Sequence, residues 1–200
     1  MPSTVSLKSL VLCSIAGAVP LLTGGCDKQS GGDTQPQASQ AAPQSSPAAP
    51  EAKAQKLDRS HKGMPLPDLT LVDPTGESLD LTSLKGKPLL INLWATWCAP
   101  CIAEMPTLNA LIAREDELGV RVLPVSQDMD QDDKVVEILR RRKLDQIEPW
   151  IDEKGDLGFQ YGGNLPVTVL FDSQGKEVWR YTGGNDWTSP EALKLIAEAK

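Results

Sequence analysis

Trp94-Ala95-Thr96-Trp97-Cys98-Ala99-Pro100-Cys101 is the stretch around which this chain is organised. Ahead of it runs Pro88-Leu89-Leu90-Ile91-Asn92-Leu93, an almost unbroken apolar run of strand length, as expected of a strand covered on both faces. Behind it, from Ile102 to Ile112, apolar residues recur at helical spacing. A Cys-x-x-Cys pair therefore falls where a buried strand feeds a helix. The unpaired N–H groups and the dipole of a helix N-terminus favour thiolate over thiol. Cys98 is thus expected to be the exposed, acidic thiol, and Cys101, one turn further in, the shielded one. Two intervening residues suffice to close a disulfide across the first helical turn, and Pro100 stiffens that turn without leaving an N–H unsatisfied. The competing readings are a zinc knuckle and a purely structural disulfide. Zinc usually takes four ligands, and the chain offers neither a second Cys-x-x-Cys nor a His pair. The spacing favours a redox pair.

The N-terminal stretch reads as targeting rather than fold. Leu10 to Leu22 is an apolar segment behind Lys8, too short and too interrupted by small residues for a comfortable membrane span. It ends in Leu22-Thr23-Gly24-Gly25-Cys26, which resembles a bacterial lipoprotein box, although the Leu lies one residue further from the cysteine than the box prefers. Residues 1–25 are read as an export or lipoprotein signal, with Cys26 as the lipidation site; plain cleavage and a retained anchor are the alternatives. Of the four cysteines, cleavage would discard Cys13 and acylation would consume Cys26, leaving Cys98 and Cys101 as the free thiols. In an oxidising compartment such a dithiol has to be kept reduced from outside. Residues 26–60, rich in Pro, Ala, Gln and Ser, cannot bury enough apolar surface to offset the entropy of ordering and are read as a tether. His61, the only histidine, is read as an incidental surface residue at its end.

Residues 61–200 amount to one domain. Two alternating segments from Leu66 to Leu81, around Asp73-Pro74-Thr75-Gly76, predict a β-hairpin. Val120 to Ser126 predicts a second strand, and Asp132 to Lys143 a helix with Val135, Val136, Ile138 and Leu139 as its apolar stripe. A further hairpin is predicted over Gly162 to Tyr181 with its turn at Asp172-Ser173-Gln174-Gly175, and a capped terminal helix from Thr188-Ser189-Pro190 onward. Alternation of strands and helices argues for a three-layer α/β domain with a partly parallel sheet. Asp128, Asp130, Asp132 and Asp133 at one end of the Asp132 helix, and Arg140, Arg141, Arg142 and Lys143 at the other, match the helix macrodipole, which suffices for both charge runs, a basic docking patch for a partner or for anionic lipid being the alternative. A calcium loop would need a fuller ligand pattern, and a net charge of −7 gives no support to nucleic-acid binding.

The Trp94–Cys101 run followed by Glu104-Met105-Pro106, together with Leu165-Pro166-Val167-Thr168-Val169-Leu170-Phe171-Asp172 and Gly175, resembles the TlpA/ResA-like family of membrane-tethered bacterial thioredoxins. The likeness runs through almost all of residues 64–200. It implies the thioredoxin fold, a three-layer α/β/α arrangement on a mixed sheet, with an N-terminal β-hairpin and a helical insert before a cis Leu165–Pro166 bond that lies against the disulfide. Carried over position by position, it makes Cys98 the nucleophile and Cys101 the resolving thiol. Leu165 and Pro166 would form the surface that meets the client, and Trp97, beside the nucleophile, would either join it or pack in the core. Glu104 matches an acidic residue near the active site in several of these proteins. Its candidate roles are a buried proton exchanger with the thiols and an ordinary first-turn acid on the helix dipole. Asn92 departs from simple thioredoxins, which carry a buried Asp there; an amide cannot take up a proton near neutral pH, so interest shifts to Glu104.

The resemblance implies a thiol:disulfide oxidoreductase of the bacterial periplasm, tethered to the membrane, the inner membrane being favoured. Its clients would be the disulfide of apocytochrome c or the copper-ligand cysteines of oxidase assembly proteins. A membrane electron donor of the DsbD or CcdA kind would recharge it, and the protein is expected to act as a monomer. No cofactor is implied, and a Gly-rich dinucleotide fingerprint is absent. The alternative of a different class is a thiol-based copper-binding or delivery protein using Cys98 and Cys101 as soft ligands. A disulfide-forming oxidase or isomerase is disfavoured by Ala99-Pro100 and the surrounding pattern, and a peroxiredoxin by Thr96 standing two rather than three residues before Cys98.

Overall fold

The computed structural model describes residues 56–129 and 132–199. The signal segment, Cys26, most of the tether and Asp130 lie outside the described residues. The central sheet has five strands in the order β1-β7-β6-β4-β5: β1 (Leu57–Asp58), β7 (Glu177–Thr182), β6 (Val167–Phe171), β4 (Leu89–Trp94) and β5 (Arg121–Ser126). Only β4 and β5 pair in parallel; β6 runs antiparallel to both β4 and β7, and β1 antiparallel to β7. The sheet is therefore mixed, as expected. Leu57 and Asp58, inside the stretch read as tether, already belong to it, opposite Tyr181 and Arg180.

The apolar run before the cysteines becomes the central strand because every residue of β4 is buried. Its alternation divides the core. Leu89, Ile91 and Leu93 face a cluster with Leu123, Val125, Val169 and Phe171, closed over by Leu66, Leu71, Leu81 and Leu157. On the opposite face Leu90 meets Leu108, Leu111, Trp179 and Trp187, while Trp94 meets Cys101, Met105, Val135 and Leu139. One covering layer is thus built from α1 (Ala99–Ile112), α3 (Asp132–Arg142) and α5 (Pro190–Ile196). The other consists of the hairpin β2 (Thr70–Val72) and β3 (Ser78–Asp80) together with α4 (Asp156–Gln160), the helical piece before the proline. A single turn, α2 (Glu115–Leu118), links α1 to β5. The hairpin is fastened through Val72 to Ile151, which also bridges Ser126 of β5. Pro124, without an N–H, fits the last strand of the sheet.

Helix ends follow local chemistry. Ser189 caps α5 by accepting from the Ala192 amide at 3.2 Å, with Pro190 in the first turn. In α3, Asp132 and Asp133 open the helix and Arg140 to Arg142 close it. The stripe predicted for α3 is narrower than expected: Val135 and Leu139 are buried, Ile138 is half-buried, and Val136 is exposed. Positions 135 and 139 are one turn apart and share the face that meets α1, whereas 136 is rotated by about 100° from it.

Candidate active site

Cys98 and Cys101 form a disulfide, with Cα atoms 5.3 Å apart. Cys98 is the N-cap residue of α1, in extended backbone conformation, and its Sγ accepts from the Cys101 amide at 3.3 Å. The sulfur thus occupies the place where a capping oxygen ordinarily receives an orphan N–H of the first turn. The Ile102 amide bonds to the Cys98 carbonyl at 3.0 Å, and the Cys98 amide to that of Ala95 at 3.1 Å, so the helix start is closed on both sides. Cys101 is fully buried, as expected. Cys98 retains only 5 % exposure, less than the expected exposed thiol, because in this oxidised form it joins the cluster of Trp94, Ile102 and Met105.

The turn that delivers Cys98 is held by a residue that the sequence placed in an acidic run. Asp128, 1 % exposed, accepts from the Thr96 amide at 2.8 Å, the Thr96 hydroxyl at 2.7 Å and the Ser126 hydroxyl at 2.8 Å. Its role is to clamp the β4–α1 turn to the end of β5, not to complement α3. One residue separates Ser126 from Asp128, and no local pattern identifies Thr96 as the partner. With the turn so fixed, Trp97 stands 68 % exposed beside Cys98, whereas Trp94 is buried in the core.

The Leu165–Pro166 bond is cis. Leu165 is half-buried and packs against the cluster that contains both cysteines, and Pro166 is buried. The Pro166 carbonyl accepts from the Gly183 amide at 2.8 Å, which ties this corner to the 183–187 loop.

Glu104 is 4 % exposed and belongs to the second turn of α1, one turn beyond Cys101. The reading of an ordinary first-turn acid does not hold, since α1 begins at Ala99 and has no acid in its first turn. The side chain of Asn92 donates to Oε1 at 2.8 Å. The Asn185 amide and the Trp187 indole N–H donate to Oε2 at 2.9 and 3.0 Å. Burial pushes this carboxyl above its ordinary range, and the three donors pull in the opposite direction without cancelling it. Asn92 also donates to the Thr168 hydroxyl at 2.9 Å, while its own Oδ1, buried, meets no donor among the described residues. The amide that replaces the buried Asp of simple thioredoxins is therefore a partner of Glu104. Nothing in the sequence pointed to Trp187 or Asn185, which stand more than 80 residues from Glu104.

Around Glu104 opens a groove of about 450 Å³ lined by Pro100, Ala103, Thr107 and Gly184 to Asp186. The cysteine pair, a buried carboxyl and a route to solvent are thus gathered at the start of one helix. Such a set can pass two electrons by thiol–disulfide exchange and move protons alongside them. Among the described residues no group of three or more His, Cys, Asp and Glu is placed to hold a metal ion. His61 lies 3.6 Å from Asp58 on the surface.

Comparison with known proteins points the same way. The Redoxin family profile matches residues 61–196. The chain is 31 % identical over 129 residues to the thiol-disulfide oxidoreductase ResA of Bacillus thuringiensis subsp. konkukian, covering 64 % of this chain and 73 % of that one. To the thiol:disulfide interchange protein DsbE of Vibrio cholerae it is 33 % identical over 154 residues, covering 72 % and 81 %. Among solved structures, a Chlorobium tepidum protein assigned as a thiol:disulfide interchange protein DsbE superposes with a TM-score of 0.58 at 28 % identity, over 68 % of this chain and 96 % of that one. A thioredoxin fold, a disulfide across the first turn of α1 and this kinship together establish that the chain belongs to the Redoxin family and is a thiol:disulfide oxidoreductase.

Proposed function

We propose that the protein is a reductant of client disulfides in the bacterial periplasm, held at the membrane through a lipid on Cys26. In the reduced state the Cys98 thiolate attacks a client disulfide. One client sulfur leaves as thiolate, and a mixed disulfide with Cys98 forms. The Cys101 thiol gives up its proton, attacks the Cys98 sulfur and releases the second client thiolate. Two electrons pass to the client, and the Cys98–Cys101 bond is made. Glu104 takes the Cys101 proton and returns it when the pair is reduced again. Trp97, Leu165 and Pro166 receive the client, the backbone of Leu165 pairing with an extended segment. Clients are the disulfide of apocytochrome c or copper-ligand cysteines of assembly proteins. Electrons come from a membrane donor of the DsbD or CcdA kind.

The observation that carries the exchange chemistry is the disulfide at the N-cap of α1, the sulfur of Cys98 receiving a helix N–H that favours its thiolate as the attacking group. Kinship with ResA and DsbE supports it. No described helix is long and apolar enough to cross a membrane, and the proposed anchor lies outside the described residues.

The test is the reduction potential of the Cys98–Cys101 pair in the detergent-solubilised full chain, equilibrated in dithiothreitol or glutathione buffers. A value near or below that of thioredoxin, about −270 mV, is expected; one near −120 mV, roughly that of a strong oxidant, overturns the reading in favour of disulfide formation. In parallel, Cys98→Ser abolishes insulin reduction and Cys101→Ser accumulates a mixed disulfide with the client.

A further inference from the structure

The loop from Gly183 to Trp187 touches both sides of the site. Its first residue donates to the Pro166 carbonyl at 2.8 Å. Gly184 lies so close to α1 that a Cβ there would stand 3.4 Å from the Pro100 carbonyl oxygen. The Trp187 amide donates to the Thr107 hydroxyl at 3.2 Å, and that hydroxyl donates to the Glu104 carbonyl at 2.7 Å. Two further donors of the loop, the Asn185 amide and the Trp187 indole N–H, converge on a single oxygen of Glu104. The indole is fully buried, with its ring parallel to that of Trp179 at 6.4 Å and edge-on to Tyr181 at 5.6 Å. An aromatic cluster therefore holds one N–H against a carboxylate whose bonding partners among the described residues include no cation.

We propose that Trp187 is a positioning residue for the thiol–disulfide reaction: its indole N–H fixes Glu104 Oε2 and sets the pH range in which that carboxyl exchanges its proton with the cysteine pair. The inference rests on the proton-exchanging role proposed for Glu104. A donor aimed at a carboxylate favours the ionised form. Without it the carboxyl holds its proton to higher pH and accepts the Cys101 proton only there. The other ionisable groups facing Glu104 are few. Cys98 and Cys101 share its helix, Asp186 borders the same groove, and Tyr181 stands behind the indole. Asn92 of β4 and Thr168 of β6 bring no titrating group.

The experiment uses the oxidised full chain in detergent, labelled for NMR at the Glu carboxyl carbon and the Trp indole nitrogen. In the unaltered protein the Trp187 indole resonance shifts with pH at the same midpoint as the Glu104 carboxyl. Trp187→Phe keeps a ring against Trp179 and Tyr181 but deletes the N–H. The loss of one hydrogen bond to a charged group raises the Glu104 midpoint by about one to two pH units. The pH profile of Cys98 and Cys101 alkylation in the reduced variant moves the opposite way, to lower pH, because a carboxyl kept neutral to higher pH no longer repels the thiolates. An indole resonance that stays flat through the Glu104 titration overturns the proposal without any variant. So does a folded Trp187→Phe protein with an unmoved carboxyl midpoint or alkylation profile. Glu104→Gln separates the two readings. If it leaves the alkylation profile unchanged, the role of Glu104 itself is wrong. If it changes the profile and Trp187→Phe does not, only the role of Trp187 fails.

Discussion

Thr96→Val tests the clamp that delivers Cys98. Valine has nearly the shape of threonine, so the change removes the hydroxyl and little else. In the folded protein that hydroxyl is the donor to Asp128 Oδ1 at 2.7 Å, while Oδ2 receives the Thr96 amide and Ser126. With Asp128 only 1 % exposed, water cannot readily replace the lost donor. Leaving a charged buried oxygen unsatisfied costs roughly 1.5–3 kcal/mol. At about 2.1 cal/mol/K per residue, a domain of this size unfolds with an entropy near 0.3 kcal/mol/K, so about 2 kcal/mol lowers Tm by roughly 7 °C. The assay is thermal and urea unfolding of the oxidised protein, repeated for Asp128→Ala and the double variant. Since Thr96 and Asp128 touch, the two changes are expected to be non-additive, with a coupling energy close to the Thr96→Val loss. A Thr96→Val protein within about 0.5 kcal/mol of the parent, or additive changes, would mean that Asp128 does not hold the turn.

Two further predictions concern groups beside the cysteines. Because burial raises the Glu104 carboxyl, the folded protein retains a proton there that the unfolded chain has already released. That contribution is complete below the unfolded value, about 4.3, and is lost as pH rises through the folded one. The stability of Glu104→Gln minus that of the parent therefore grows as pH rises through this window, read by urea unfolding at several pH values. A difference that stays constant with pH would refute the burial argument. The Gln amide is accommodated because Asn92, once turned over, can present its donor-less Oδ1 to it. Trp97→Ala, at a side chain 68 % exposed, leaves stability within about 0.5 kcal/mol but raises KM for insulin by roughly five- to tenfold, as for loss of an aromatic contact. An unchanged KM would remove Trp97 from the client surface.

Much of the fold was legible in the chain because short-range rules govern it. The six-residue apolar run makes β4 buried on both faces, the Asp-Pro-Thr-Gly and Asp-Ser-Gln-Gly segments close the two hairpins, and Ser189-Pro190 starts α5. Such signals act over a few residues, where spacing alone decides what meets what. The placement of the cysteines at the start of α1 is of this kind, and so is their closure into a disulfide. Val136 marks the limit: an apolar residue adjacent to the stripe could not be told from one within it until α1 fixed which face of α3 is covered.

By itself, then, the sequence determined the redox pair, the strand and helix that frame it, and the order of elements in a thioredoxin-like domain. Tertiary structure alone decided the surroundings of the pair. Asp128 reaches Thr96 across 32 positions and clamps the turn, while Asn185 and Trp187 reach Glu104 across 81 and 83. The physical reason is that a buried carboxyl must find donors wherever the fold brings them. Those donors, a backbone amide and an indole that also serves the core, carry no mark in the sequence of the partner they will meet.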